Sequence, residues 1–111
     1  MSILVIRAHR RFAVCSRARI GKSGLKPLRG LLVELSLEGC RISKIASDEF
    51  EVGQIAKVEI DGFDALDGQV RWAQDGFLGL RFVRPLHTAM LDAMINACRG
   101  GPTPDALRYG T

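Results

Sequence analysis

Leu31-Leu32-Val33-Glu34-Leu35-Ser36-Leu37-Glu38-Gly39-Cys40-Arg41-Ile42-Ser43-Lys44-Ile45 holds the smallest complete unit of the fold. An apolar run, Leu31 to Leu35, predicts a strand, and the turn around Glu38-Gly39 ends it. Cys40 to Ile45 then alternates polar and apolar residues, which predicts a second strand pairing back on the first as a hairpin. The same pattern extends outward in both directions. Phe12 to Ile20 alternates, with Arg17 and Arg19 on one face and Ala18 and Ile20 on the other. Gly21-Lys22-Ser23-Gly24 breaks it, and Leu25 to Pro27 continues the connection. Gln54 to Ile60 sets Ala56, Val58 and Ile60 against Ile55, Lys57 and Glu59. After the turn signal Asp61-Gly62 come Leu66 to Trp72 and Phe77 to Val83, joined by Asp75-Gly76, a pair suited to a tight hairpin turn. Six short strands with Gly/Asp turns predict a small antiparallel barrel or sandwich.

The period changes after Pro85. Leu86, Met90, Leu91, Met94, Ile95 and Cys98 form one apolar stripe of a helix, and Gly100-Gly101 with Pro102 stop it. Residues 1–11 are expected to be a flexible N-terminal segment, 12–99 a barrel with its C-terminal helix, and 100–111 a disordered tail. At 111 residues the chain can build one core without staples. Its 47% apolar and 25% charged residues are ordinary for a soluble domain. The net charge of +4 is unevenly placed. Residues 1–30 carry Arg7, Arg10, Arg11, Arg17, Arg19, Lys22, Lys26 and Arg29 and no acid, while all 12 acidic residues follow. That polarity points to an anionic ligand met by the N-terminal third.

Two stretches supply matching chemistry. Arg7-Ala8-His9-Arg10-Arg11 puts three guanidinium groups ahead of the first strand. Arginine bonds bidentately to phosphate or to the O6/N7 edge of guanine, and its flat face stacks on a base. Arg7 and Arg11 are spaced to reach different parts of one ligand, with Arg10 as an auxiliary contact. Glu34 and Ser36 stand two apart on a strand, hence on one face. The carboxylate can accept from guanine N1–H and N2–H₂, and the hydroxyl can add a bond. Gly39 permits a positive φ or a close backbone approach.

In this order the residues resemble the PilZ domain family, the bacterial receptor module for cyclic di-GMP. Its signature is R-x-x-x-R before the first barrel strand and (D/N)-x-S-x-x-G after the second. Arg7 and Arg11 match the first, and Ser36 and Gly39 match the second, with Glu34 where the family has Asp or Asn. Val70-Arg71-Trp72 and Gly79-Leu80-Arg81-Phe82 resemble the family's late hairpin. The resemblance implies a mainly β fold, a six-stranded antiparallel barrel with one C-terminal α-helix. It implies a cytoplasmic receptor whose N-terminal arginine segment closes over cyclic di-GMP held by Glu34, Ser36 and Gly39, and which signals through a protein effector. Ile6 stands where family members that take two stacked ligands carry a further arginine, which implies one ligand per chain. The alternative within the family is an adaptor that binds protein without the nucleotide.

Other residues read more plainly. Trp72 could stack on a base but is expected in the core, with Met90 and Met94; Cys15, Cys40 and Cys98 are expected there as reduced thiols, since no C-x-x-C pair suggests a disulfide or zinc site. His9 and His87 have no second ligand at metal spacing. Ser36 lacks a nucleophile frame and a His base, and is otherwise a turn residue bonding its own backbone. No catalytic constellation assembles, and no metal or cofactor is expected. No run approaches the ~18 apolar residues of a membrane span, so membrane insertion is not expected. A basic barrel for single-stranded nucleic acid is a further alternative, but such surfaces interleave aromatics with basic residues, and residues 1–30 contain only Phe12.

Overall fold

Period-2 alternation becomes strand wherever one face can be buried. A computed structural model describes residues 10–22 and 24–99. Six strands form: β1 (Phe12–Gly21), β2 (Leu28–Leu35), β3 (Gly39–Ser43), β4 (Ile55–Ile60), β5 (Leu66–Gln74) and β6 (Phe77–Phe82). They close into an antiparallel barrel in the order β1-β2-β3-β6-β5-β4, with β4 pairing back on β1. The barrel, rather than a sandwich, leaves no open sheet edge. One helix, α1 (Thr88–Cys98), follows.

The interior is apolar: Ile20, Leu32, Leu35, Ile42, Val58, Val70 and Leu78 are fully enclosed. Helix α1 lays Leu91, Met94, Ile95 and Cys98 on this core. Its stripe is narrower than the spacing suggests, because Met90 is 40% exposed and Leu86, before the helix, is half-buried. A free Cys15 also lies outside, on the face of β1 that carries Arg17 and Arg19, while Cys40 and Cys98 are buried free thiols. β3 stops at Ser43 because Lys44 turns to φ 53°. β5 runs two residues beyond Trp72, so Asp75 and Gly76 alone connect Gln74 to Phe77. Both have positive φ, 51° and 82°, as a tight right-twisted hairpin turn requires.

Three strand pairings slip by a residue: β1 against β2 between Ala13 and Ser16, β2 against β3 between Leu32 and Glu34, and β5 against β6 between Val70 and Trp72. These bulges gather at one side of the barrel. The N-terminal segment up to His9 and the tail from Gly100 lie outside the described residues.

Candidate functional site

The bulges decide which side chains face out. Leu32 and Leu35 both point inward although three apart, so Val33 is left over against β3 and Glu34 is turned to the surface. On β5, Arg71 has no partner on β6, which resets the alternation after Val70 and puts Trp72 outside, 41% exposed, instead of in the core. Ladder pairing then joins Ala13 to Glu34, Glu34 to Arg41, Arg41 to Gly79 and Gly79 to Trp72. One row of outward positions therefore crosses five strands.

Gly79 is the gap in that row. A Cβ built there would stand 2.3 Å from Nε1 and Cε2 of Trp72, so the indole occupies the space of the missing side chain. On the neighbouring position of the row, Arg41 holds its guanidinium 5.8 Å from the Phe77 ring centre. Arg71 and Arg81 flank the row. Together with Arg11, Glu34 and the turn after β2, these groups enclose an open cavity of about 360 Å³. Four arginines against Glu34 and Glu38 make its wall net positive, with one large aromatic surface. In chemical terms, arginine forks can bond phosphate and the indole face can stack a ring.

Of the residues singled out in the sequence, Arg11, Glu34, Ser36 and Gly39 converge on this cavity. Arg11 Nη1 lies 3.7 Å from Glu34 Oε1, with the arginine side chain 53% exposed. Arg10 does not line the cavity; its guanidinium sits 5.1 Å from the Phe12 ring centre. Arg7 and His9 lie outside the described residues.

Ser36 and Gly39 follow the second of the two readings open to each in the sequence, a turn-bonding hydroxyl and a close backbone approach. Ser36 follows the end of β2 and is buried. Its Oγ accepts from the Glu38 and Gly39 N–H groups at 3.2 Å each and donates to the Gly39 carbonyl at 3.3 Å. The hydroxyl is thus occupied in holding the turn. Gly39 does not adopt a positive φ. Its missing Cβ would stand 2.2 Å from the Leu80 carbonyl oxygen, so the close approach is to β6.

Arg41, Arg71 and Arg81 were not candidates from sequence, and for Trp72 the core was preferred over stacking on a base. Arg41 could have been found, since strict alternation from the inward Cys40 sets it outward two residues after Gly39. Among the described residues no three His, Cys, Asp or Glu side chains are grouped to hold a metal ion, and no helix is long and apolar enough to cross a membrane. The sequence model of the PilZ domain matches residues 6–100. No curated protein matches the chain.

Proposed function

The chain belongs to the PilZ domain family, and from that premise we propose that it is a cyclic di-GMP receptor acting through a protein partner. The observation that carries this reading is the basic and aromatic wall assembled around the turn of the second motif. Arg11, Arg41, Arg71 and Arg81 offer forks to phosphate or guanine edges, and Trp72 offers a face on which a purine stacks.

In this reading the Arg11–Glu34 pair is the switch. Arg11 and Glu34 neutralise each other across 3.7 Å, an exposed pair worth about 0–1 kcal/mol. A phosphate dianion equivalent, two phosphodiesters on one ring, offers Arg11 and Arg7 better partners. Arg11 then leaves Glu34, whose carboxylate becomes free to accept from guanine N1–H and N2–H₂. Closure of the segment carrying Arg7 and Arg11 over the ligand changes the surface that the protein partner meets.

One feature favours the second reading, an adaptor without ligand: the side chain of Glu34, longer than Asp by a methylene, already reaches toward Arg11. Calorimetric titration with cyclic di-GMP separates the two. Binding is expected, and Arg7→Ala and Arg11→Ala should each weaken it at least about tenfold, the loss of a partly desolvated charged contact. Parental affinity in both variants rejects the clamp; no binding by the parent rejects the receptor.

A further inference from the structure

Helix α1 is fastened at both ends to the two segments that form the site. Ahead of it, the Leu86 N–H donates to the Leu37 carbonyl at 2.8 Å, and the Phe82 N–H donates to the Glu38 carbonyl at 2.7 Å. Both acceptors belong to the turn between Ser36 and Gly39. At the other end, Arg99 directly follows the helix, and its Nε donates to the Ala13 carbonyl at 2.8 Å. Ala13 lies at the β1 bulge, pairs with Glu34 across the ladder and stands two residues after Arg11. The Arg99 guanidinium is also 5.9 Å from the Phe12 ring centre, the ring that Arg10 approaches to 5.1 Å.

We infer that Arg99 is a positioning residue for the arginine clamp. It fixes the chain at Phe12–Ala13, the base from which Arg11 reaches the cavity. A cation near a helix C-terminus is favourable in any case, but here the fork is turned onto another element. The contact also has a sense. Arg10 and Arg99 are two cations beside one aromatic ring, and they repel. An anion that draws Arg11 and its neighbour Arg10 toward the cavity takes Arg10 from that ring, and Arg99 then holds Phe12 and Ala13 without a competitor. Ligand therefore tightens the last turn of α1. By linkage, whatever Arg99 contributes to ligand affinity, the ligand returns to the anchorage of the helix. The ligand-dependent half of this inference rests on the receptor reading; the resting anchorage does not.

Hydrogen exchange read by mass spectrometry on the full chain tests both halves. In the ligand-free protein, Arg99→Ala should speed exchange in peptides covering residues 11–16 and 94–99 and leave β3 to β6 unchanged. Arg99→Lys should behave like the alanine variant, because an ammonium keeps the charge but lacks the planar fork that reaches carbonyl and ring together. With cyclic di-GMP, the parent should gain protection at 94–99, and both variants should bind about 2- to 30-fold more weakly. Unaltered ligand-free exchange in Arg99→Ala overturns the inference, whatever the ligand does. Full rescue by Arg99→Lys also overturns it, since charge at the helix end would then suffice. If the parent does not bind, the receptor reading fails, and the ligand-free comparison alone decides on the anchorage.

Discussion

Ser36 and Glu34 share one motif and one cavity, yet they hold different things. Ser36 uses both lone pairs and its proton inside its own turn. Ser36→Ala should therefore act on the fold first. It leaves two backbone N–H groups without their acceptor, at about 1–3 kcal/mol in chemical denaturation, and affinity should fall because the turn loosens. Glu34 is partly exposed and meets only Arg11 among the ion pairs of the described residues. Glu34→Ala should leave stability within about 0.5 kcal/mol of the parent and lower affinity for cyclic di-GMP. Glu34→Asp should retain or improve affinity, by restoring the acid usual in the family and shortening the reach to Arg11. Glu34→Gln should bind nearly as poorly as alanine, since its amide sets donors against guanine donors in one orientation. Titration beside denaturation separates the two roles, and equal affinity across the Glu34 series means that the residue contributes nothing to recognition.

At the level of elements, the β5–β6 hairpin carries the least expected part of the site. Gly79→Ala is its direct test. The new methyl would stand 2.3 Å from the Trp72 indole, which must lift off the sheet. Tryptophan emission should shift to the red and affinity should fall, with the far-ultraviolet circular dichroism of the barrel kept; unchanged emission and affinity would remove Trp72 from the wall. The same hairpin explains what can be read from a sequence and what cannot. Alternation, an apolar run at Leu31–Leu35 and turn residues identified the six strands, and Asp75-Gly76 identified the turn, because these are local consequences of backbone geometry. A bulge is not local in that sense. Val70-Arg71-Trp72 reads as in-out-in, and only the pairing of Val70 with Leu80 and of Trp72 with Gly79 shows that one residue is left over. Arg41, Arg71 and Arg81 meet through strand order and register, which spacing along the chain does not encode. The position of Cys15 was legible after all: it shares parity with Arg17 and Arg19, so its face is the solvent face. Ser36 and Glu34 both line the cavity, but through the β2 bulge and the turn rather than through simple i, i+2 alternation.

Over the whole molecule, two opposed conditions meet in one barrel: an apolar interior and a cationic outer cavity. The interior sets an alkaline limit. Burial pushes the Cys40 thiol from its ordinary 9.0 up to about 12, and burial also raises that of Cys98, against which a hydrogen bond from Ser16 acts. A thiol kept protonated in the folded chain gives stability that is complete below pH 9 and is lost as pH rises toward 12. Stability should fall over that window, by up to about 1.4 kcal/mol per pH unit for Cys40. Cys40→Ala should flatten the decline relative to the parent and leave the region below pH 8 without slope from this residue; equal slopes in both proteins would contradict the burial of Cys40.

The cavity sets the response to ligand. Anything bound only by the folded chain stabilises it by mass action, about 2.7 kcal/mol at a hundredfold excess over Kd. For a domain of this size each kcal/mol moves the midpoint by about 4 °C, so saturating cyclic di-GMP should raise Tm by about 10 °C. Titration should saturate at one ligand per chain, as Ile6 before the first arginine motif implies. The forces at the cavity predict how this shift depends on salt. Arg11 is more than half exposed, so its attraction for phosphate is screened as ionic strength rises above about 0.1 M, whereas stacking on Trp72 is not. The Tm shift should therefore shrink with added sodium chloride but not vanish, and Trp72→Ala should make the remainder vanish. A shift indifferent to salt would mean that the arginines do not meet the phosphates, and saturation at two ligands would point to Arg10, released from the Phe12 ring, as a contact for the second.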